Sequence, residues 1–264
     1  MDIDKLPQEL IDKIISSIDR TKPGGLSALR ACSRVCRSWR RQAQKELLPD
    51  INLLTWRQLS EWHHNIPLDS EVSSYVRRLC WAIRPARRRD PFLEDYFPGR
   101  FATFSNLETL RLTNLSLRFF NTTTIKRVFN PLAHSLRRLD ITNLITDPEK
   151  WCFLVSLLPN LRYLDIFNAT ILEGGGPSPN HPLSFDYTGY IASYHDTTEE
   201  FFRCISGLNP RFESLEVPML DDDLVETLNF VLQSCSATLT AISITTPYLG
   251  KKDGQPKLFT ADLI

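Results

Sequence analysis

Few residues of this 264-residue chain have the types and spacing that catalysis requires. His63, His64, His134, His181 and His195 stand in none of the frames H-E-x-x-H, G-x-S-x-G or G-x-x-x-x-G-K-[ST]. Gly174-Gly175-Gly176 runs into Pro177, which has no N–H to offer a phosphate, and no lysine-bearing loop accompanies it. His195 and Cys204 are close in sequence, but no third group is framed to orient them. Asp221-Asp222-Asp223 precedes an apolar helical pattern, where acidic side chains favour the start of a helix. No catalytic constellation, cofactor motif or metal-ligand set emerges, so the expectation is a protein that is not an enzyme and needs no cofactor. The chemistry left is that of recognition. Arg111, Asp140, Asp165 and Glu216 occupy one position of a recurring pattern, with Tyr163 and Phe167 beside them.

That pattern is L-x-x-L-x-L. It runs through Leu107-x-x-Leu110-x-Leu112, Leu136-x-x-Leu139-x-Ile141, Leu161-x-x-Leu164-x-Ile166, Phe212-x-x-Leu215-x-Val217 and Leu239-x-x-Ile242-x-Ile244, with a weaker early copy at Val76-x-x-Leu79-x-Trp81. The starts are 31, 29, 25, 51 and 27 residues apart. Each core reads as a short strand with alternate side chains inward. Helical patterns follow signals such as Asp147-Pro148-Glu149, Thr197-Thr198-Glu199-Glu200 and Asp221–Asp223. No unit can bury its apolar side alone, so neighbours must stack. The pattern resembles leucine-rich repeats of the longer, helix-bearing kind. The resemblance implies a solenoid with a parallel sheet on its concave side and helices outside. Asn114, Asn143 and Asn168 sit one place earlier than that family's strand-ending Asn, which leaves the turn geometry open.

If the strands stack in this register, Cys80, Arg111, Asp140, Asp165, Glu216 and Ser243 form one row of the outer face, with Arg78, Thr109, Arg138, Tyr163 and Ser214 in the next. Three carboxylates would then stand together at about 4.8 Å per strand. Two readings are open: neutralisation by Arg138 and solvent, or a site where Arg111, Asp140, Tyr163, Asp165, Phe167 and Glu216 receive a basic segment of a target protein. The oversized 51-residue interval contains Gly/Pro-rich Glu173–Pro182, then Phe185, Tyr187, Tyr190 and Tyr194. It is expected to be an inserted loop at about 172–197, either a tolerated insertion or a lid over the sheet.

The N-terminal segment is different. Leu10, Ile11, Ile14, Ile15 and Ile18 follow a helical period after Leu6-Pro7, and Lys22-Pro23-Gly24-Gly25 must end that helix. A second helical pattern runs from about Ser27 to Leu48, with Leu29, Cys32, Val35, Cys36, Trp39 and Ala43 on one face and Arg30, Arg34, Arg37 and Arg41 on another. So short a segment cannot bury all these apolar side chains in its own core, and a partner completes the burial. The Leu6-Pro7-Gln8-Glu9 opening, the aliphatic helix and the closing Val35-Cys36-Arg37-Ser38-Trp39 resemble the F-box. The resemblance implies docking on a Skp-type adaptor, and through it a cullin, with Leu6, Pro7, Leu10, Ile11, Ile14, Ile15, Val35 and Trp39 divided between the box core and the adaptor interface.

The expected fold is therefore α/β: a helical box at 1–48, a linker and degenerate first repeat at 49–75 around Ile51-Asn52-Leu53, and repeats at 76–264. The pattern stops at Ile264 without a polar closing cap, which leaves both a short protein and a fragment open. By resemblance the chain would be the target-recognition subunit of a cullin-type ubiquitin ligase; a non-catalytic repeat scaffold outside any ligase is the other reading. With 42% hydrophobic and 23% charged residues the composition is globular. Lys and Arg number 18 against 13 acids in residues 1–100, and 13 against 18 thereafter, a modest dipole rather than a nucleic-acid footprint. A DNA-reading helix would present polar residues at its N-terminal end, where this chain has Leu26-Ser27-Ala28-Leu29. An acidic Met1-Asp2-Ile3-Asp4, no long apolar run, and six cysteines without a C-x-x-C pair point to a cytoplasmic or nuclear protein with reduced thiols.

Overall fold

A computed structural model describes residues 6–66, 71–82, 101, 103–171, 190–194, 214–218, 229, 232–233, 239–245 and 258–262. Pro7 is the residue before the first helix, α1 (Gln8–Ser16), and its carbonyl accepts from the amides of Leu10 and Ile11 at 3.1 and 3.3 Å. The turn after it needs both glycines. Gly24 has φ 86°, and a Cβ on Gly25 would lie 2.0 Å from the carbonyl oxygen of Asp19. Asp19 holds the same turn by accepting from the amide and hydroxyl of Thr21 at 2.9 and 2.7 Å, and these bonds lower its pKa.

The single helix expected over Ser27–Leu48 is two. Helix α2 (Gly25–Cys32) starts directly on the glycine pair, and α3 (Arg37–Leu47) follows a turn in which Cys36 is extended. The Ser33 hydroxyl donates to the Arg30 carbonyl at 2.7 Å, and Arg40 Nε donates to the Ser33 carbonyl at 3.2 Å. These bonds occupy carbonyls that a continuous helix would have used. Ile11, Ile15, Leu29 and Ala43 form the small core, with Leu6, Ile18, Cys32, Trp39 and Leu47 packed around it. A polar clamp ties α1 to α3: Ser16 Oγ donates to Glu46 Oε1 at 2.9 Å and accepts from Gln42 Nε2 at 3.0 Å.

The described strands are β1 (Asp50–Leu53), β2 (Arg78–Ala82), β3 (Thr109–Thr113), β4 (Arg138–Thr146), β5 (Tyr163–Ile171), β6 (Tyr190–Tyr194), β7 (Ser214–Pro218), β8 (Ala241–Thr245) and β9 (Leu258–Asp262). They lie side by side in chain order. Strands β1 to β8 are parallel, and β9, which the repeat pattern does not anticipate, runs antiparallel to β8. Leu79, Leu110, Leu139 and Leu164 are direct neighbours and all buried; so are Trp81, Leu112, Ile141 and Ile166. Covering this apolar side are Ile125, Val128 and Phe129 of α5 (Thr122–Phe129) and Trp151, Leu154 and Val155 of α6 (Pro148–Ser156).

Among the described residues, the connecting helices begin where the sequence supplies an acceptor. Asn121 Oδ1 accepts from Thr124 N at 2.7 Å, and Asp147 Oδ1 from Lys150 N at 2.9 Å. Helix α4 (Trp56–Asn65) opens on a reciprocal Thr55–Gln58 capping box. Consecutive units are also stitched to each other: Asn106 Nδ2 donates to Ser74 O at 2.8 Å and Asn160 Nδ2 to Ala133 O at 3.2 Å. The box joins the sheet through an Arg41–Glu71 ion pair, Lys45 Nζ at 5.7 Å from the Tyr75 ring centre, and Leu48 against the sheet core.

The expected inserted loop needs correcting. Residues 190–194 within it are strand β6, which pairs with β5 and β7. The long interval is two repeat steps, from Leu164 to Ile191 (27 residues) and from Ile191 to Leu215 (24 residues). Ile191-Ala192-Ser193 lacks the second aliphatic residue, which is why the L-x-L pattern hides it. Tyr190 and Tyr194 are therefore strand residues. Phe185, Tyr187 and the helical patterns beginning at Thr197 and Asp221 lie largely outside the described residues.

Candidate functional site

Two faces of the molecule carry groups that could meet a partner. The first is on the box. Periodicity puts Ile11 and Ile15 of α1 inward, at 3% and 0% exposure, and Leu10 and Ile14 outward at 48% and 44%. Val35, in the turn between α2 and α3, is 50% exposed, and Pro7 and Leu26 are also at the surface. Of the residues the sequence nominated for adaptor docking, Ile11 and Ile15 are thus taken by the core, and Leu6 and Trp39 are half-buried against it. Pro7, Leu10, Ile14 and Val35 remain free to meet a partner. Leu26, just ahead of the helical pattern expected from Ser27, lies in the first turn of α2 and joins this exposed set.

The second face is the side of the sheet turned away from α5 and α6, and two ion-pair clusters stand on it. In one, Asp50 on β1 accepts from Nε and Nη2 of Arg78, the second at 2.8 Å, and lies 3.5 Å from Nη1 of Arg20. In the other, Asp140 accepts from Arg111 Nη2 at 3.2 Å and Arg138 Nε at 2.7 Å, while Arg138 Nη2 is 3.7 Å from Asp165. Asp140 is nearly buried at 8% side-chain exposure, whereas Arg78, Arg111 and Arg138 stand out at 63%, 59% and 44%. Burial raises the pKa of Asp165, the Asp140 charge raises it further, and Arg138 and Arg111 oppose the shift.

This face differs from the expected acidic row. Ala192 of β6 separates Asp165 from Glu216, so the three carboxylates do not stand together. Asp140 and Asp165 are direct neighbours, and arginines screen them. Tyr163 is exposed beside Arg138; Phe167 and Glu216 are placed by their strands alone. Arg78, Arg111 and Arg138 are the more exposed members of the clusters, with Asp50 and Asp165 part-exposed beside them and Asp140 nearly buried.

Elsewhere the nominated groups are tied up locally. His64 Nδ1 donates to the Ser60 carbonyl at 2.8 Å within its own helix. Cys152 is buried in α6, and burial pushes its thiol up to about 11. Among the described residues no helix is long and apolar enough to cross a membrane. His181, His195, Cys204, Cys235 and Asp221–Asp223 lie outside the described residues.

No curated protein matches this chain. A family model described as F-box-like matches residues 3–48, the segment that holds α1 to α3 and the exposed Pro7, Leu10, Ile14 and Val35. The chain thus carries an F-box-like domain at its N-terminal end, followed by a parallel sheet with helices on one side.

Proposed function

We propose that this chain is the target-recognition subunit of a cullin-type ubiquitin ligase. The F-box-like region docks on a Skp-type adaptor, which bridges to a cullin; the following strands, read as a leucine-rich-repeat solenoid, hold the target. The chain performs no chemistry itself. It keeps a target protein close to a ubiquitin-charged enzyme, and tethering raises the effective concentration of target lysines at the donor.

One observation carries this reading: an F-box-like segment leaves Leu10, Ile14 and Val35 uncovered after its core is complete. Full burial of such a side chain is worth about 1.5–3 kcal/mol, and since each is about half covered already, an interface gains roughly half of that per residue. Leu10 and Ile14 stand one turn apart on the same side of α1, and paired exposed aliphatics on a segment of this family are what a docking surface presents. Co-purification of the tagged full chain with adaptor and cullin tests the assignment. Both are expected in the complex. Adaptor without cullin would instead assign a scaffold outside the ligase, and recovery of neither would overturn the proposal.

A further inference from the structure

The two ion-pair clusters leave a gap between them. Strands β1 to β3 form a shallow depression there, lined by Asp50, Asn52, Arg78, Cys80, Thr109 and Arg111. Arg78 uses Nε and Nη2 on Asp50, and Arg111 uses Nε and Nη2 on Asp140, which leaves the Nη1 group of each outside its pair. A carboxylate one strand away thus braces each guanidinium, so little side-chain freedom remains to be lost on binding. The two arginines are on adjacent strands and offset by two residues, which puts their Cα atoms about 8 Å apart on the same face. Asn52 and Thr109 add polar side chains, and no acidic residue stands between the arginines on β2 or β3 among the described residues.

Charge sets the sign of the occupant. The clusters hold Arg20, Arg78, Arg111 and Arg138 against Asp50, Asp140 and Asp165, four guanidiniums to three carboxylates. The alternation of charge along the face is broken at the depression, where one more carboxylate would complete it. An excess of a single positive charge matches a monoanion.

We propose that this depression receives an Asp or Glu side chain of an extended target segment, its carboxylate bridging Arg78 and Arg111. The inference rests on the reading of this face as target-binding and names the target's chemistry; it reverses the basic segment that the sequence alone suggested. Arginine forks match carboxylates in pairs, and such groups concentrate binding energy at interfaces.

Selection of random octapeptides displayed on phage, with the full chain as bait, tests this without knowing the target. The wild-type bait is expected to enrich Asp or Glu at one fixed position at least about fivefold over their combined library frequency. The double variant Arg78→Gln with Arg111→Gln should lose that enrichment, while Arg57→Gln, on α4 away from the face, should keep it. Thr109→Glu, which retains both arginines but brings a negative charge into the depression, should lose it too and guards against a folding defect in the double variant. A basic or uncharged consensus, an acidic one that survives the double variant or Thr109→Glu, or no consensus would each overturn the proposal. Adaptor capture is read separately through the box, so its failure would overturn the ligase assignment and leave this result standing.

Discussion

Asn143 donates through Nδ2 to Oδ1 of Asn114 at 2.8 Å, and both residues hold left-handed backbones at φ 58° and 60°. They occupy equivalent places in neighbouring repeats, just after the paired residues Thr142 and Thr113: Asn114 directly follows β3, and Asn143 makes a left-handed turn of the backbone within the longer β4. Asparagine tolerates this conformation better than other side-chain-bearing residues, so one residue type supplies both the turn and the bond that links the turns.

Substitution at Asn143 separates the two contributions. Asn143→Gly keeps the left-handed turn and loses the bond, at an expected cost of about 0.5–1.5 kcal/mol. Asn143→Ala loses the bond and adds about 1–2 kcal/mol of backbone strain. Urea unfolding of both variants checks the order. A glycine variant as damaged as the alanine variant would show that the bond, not the backbone, sets the stability of the turn.

Leu139→Ala or Leu164→Ala should destabilise by about 2–5 kcal/mol, because both side chains are buried in the row facing α5 and α6. Arg111→Ala should cost much less. Its side chain is exposed, and Asp140 keeps Arg138 as a partner. Thermal unfolding ranks the three. A larger loss at Arg111 would mean that the strand alternation inferred for β3 is shifted by one residue.

Alternation and spacing make β2, β3, β4, β5, β7 and β8 legible, because two large apolar residues mark each strand, aliphatic in all but β2, which has Leu79 and Trp81. Strand β6 is illegible for the opposite reason: Ser193 pairs with Ile166, where the pattern calls for a second aliphatic residue. Without β6 in the pattern, Glu216 falls beside Asp165 and the outer face reads as more acidic than it is. The helix break at Ser33 is hidden because Cys32, Val35 and Cys36 continue the helical spacing, while the bonds that end α2 run through a hydroxyl and a carbonyl. Neither the partition of α1 into Ile11 and Ile15 inside and Leu10 and Ile14 outside, nor the bracing of Arg78 by Asp50, follows from spacing alone; both depend on what α3 and β1 bring alongside.

Asp165 gives the fold a pH dependence. Its folded pKa is raised, first by burial and then by Asp140, above the ordinary carboxylate value of 3.8. A raised acid binds its proton more readily in the folded state, so its ionised form opposes folding at pH above the folded value. That opposition fades as pH falls through the folded pKa and is gone below 3.8. Asp165→Asn should therefore raise the Tm at neutral pH, with the gain shrinking as the pH approaches 4. Melting curves across pH 3.5–7.5 read this out. A variant less stable than wild type at pH 7 would mean that the ion pair with Arg138 outweighs burial.

The box should respond differently on its two faces. Leu10→Asp with Ile14→Asp places charges on side chains that are nearly half exposed, so the unbound fold should tolerate them, with a Tm shift of only a few degrees. At an apolar interface the same charges would be desolvated without partners, and titration against a Skp-type adaptor should show affinity lowered by at least two decades, about 2.7 kcal/mol. Ile15→Ala should do the reverse. This fully buried side chain supports α3, so its removal should cost about 2–5 kcal/mol of box stability and weaken the adaptor only in proportion to unfolding. Replacing Leu6 and Pro7 together by Ala falls between, since Leu6 packs on the box core while Pro7 is exposed. If the Leu10/Ile14 double variant bound the adaptor as tightly as wild type, the exposed row of α1 would not be the docking surface, and Val35 with Leu26 would be the face to test next.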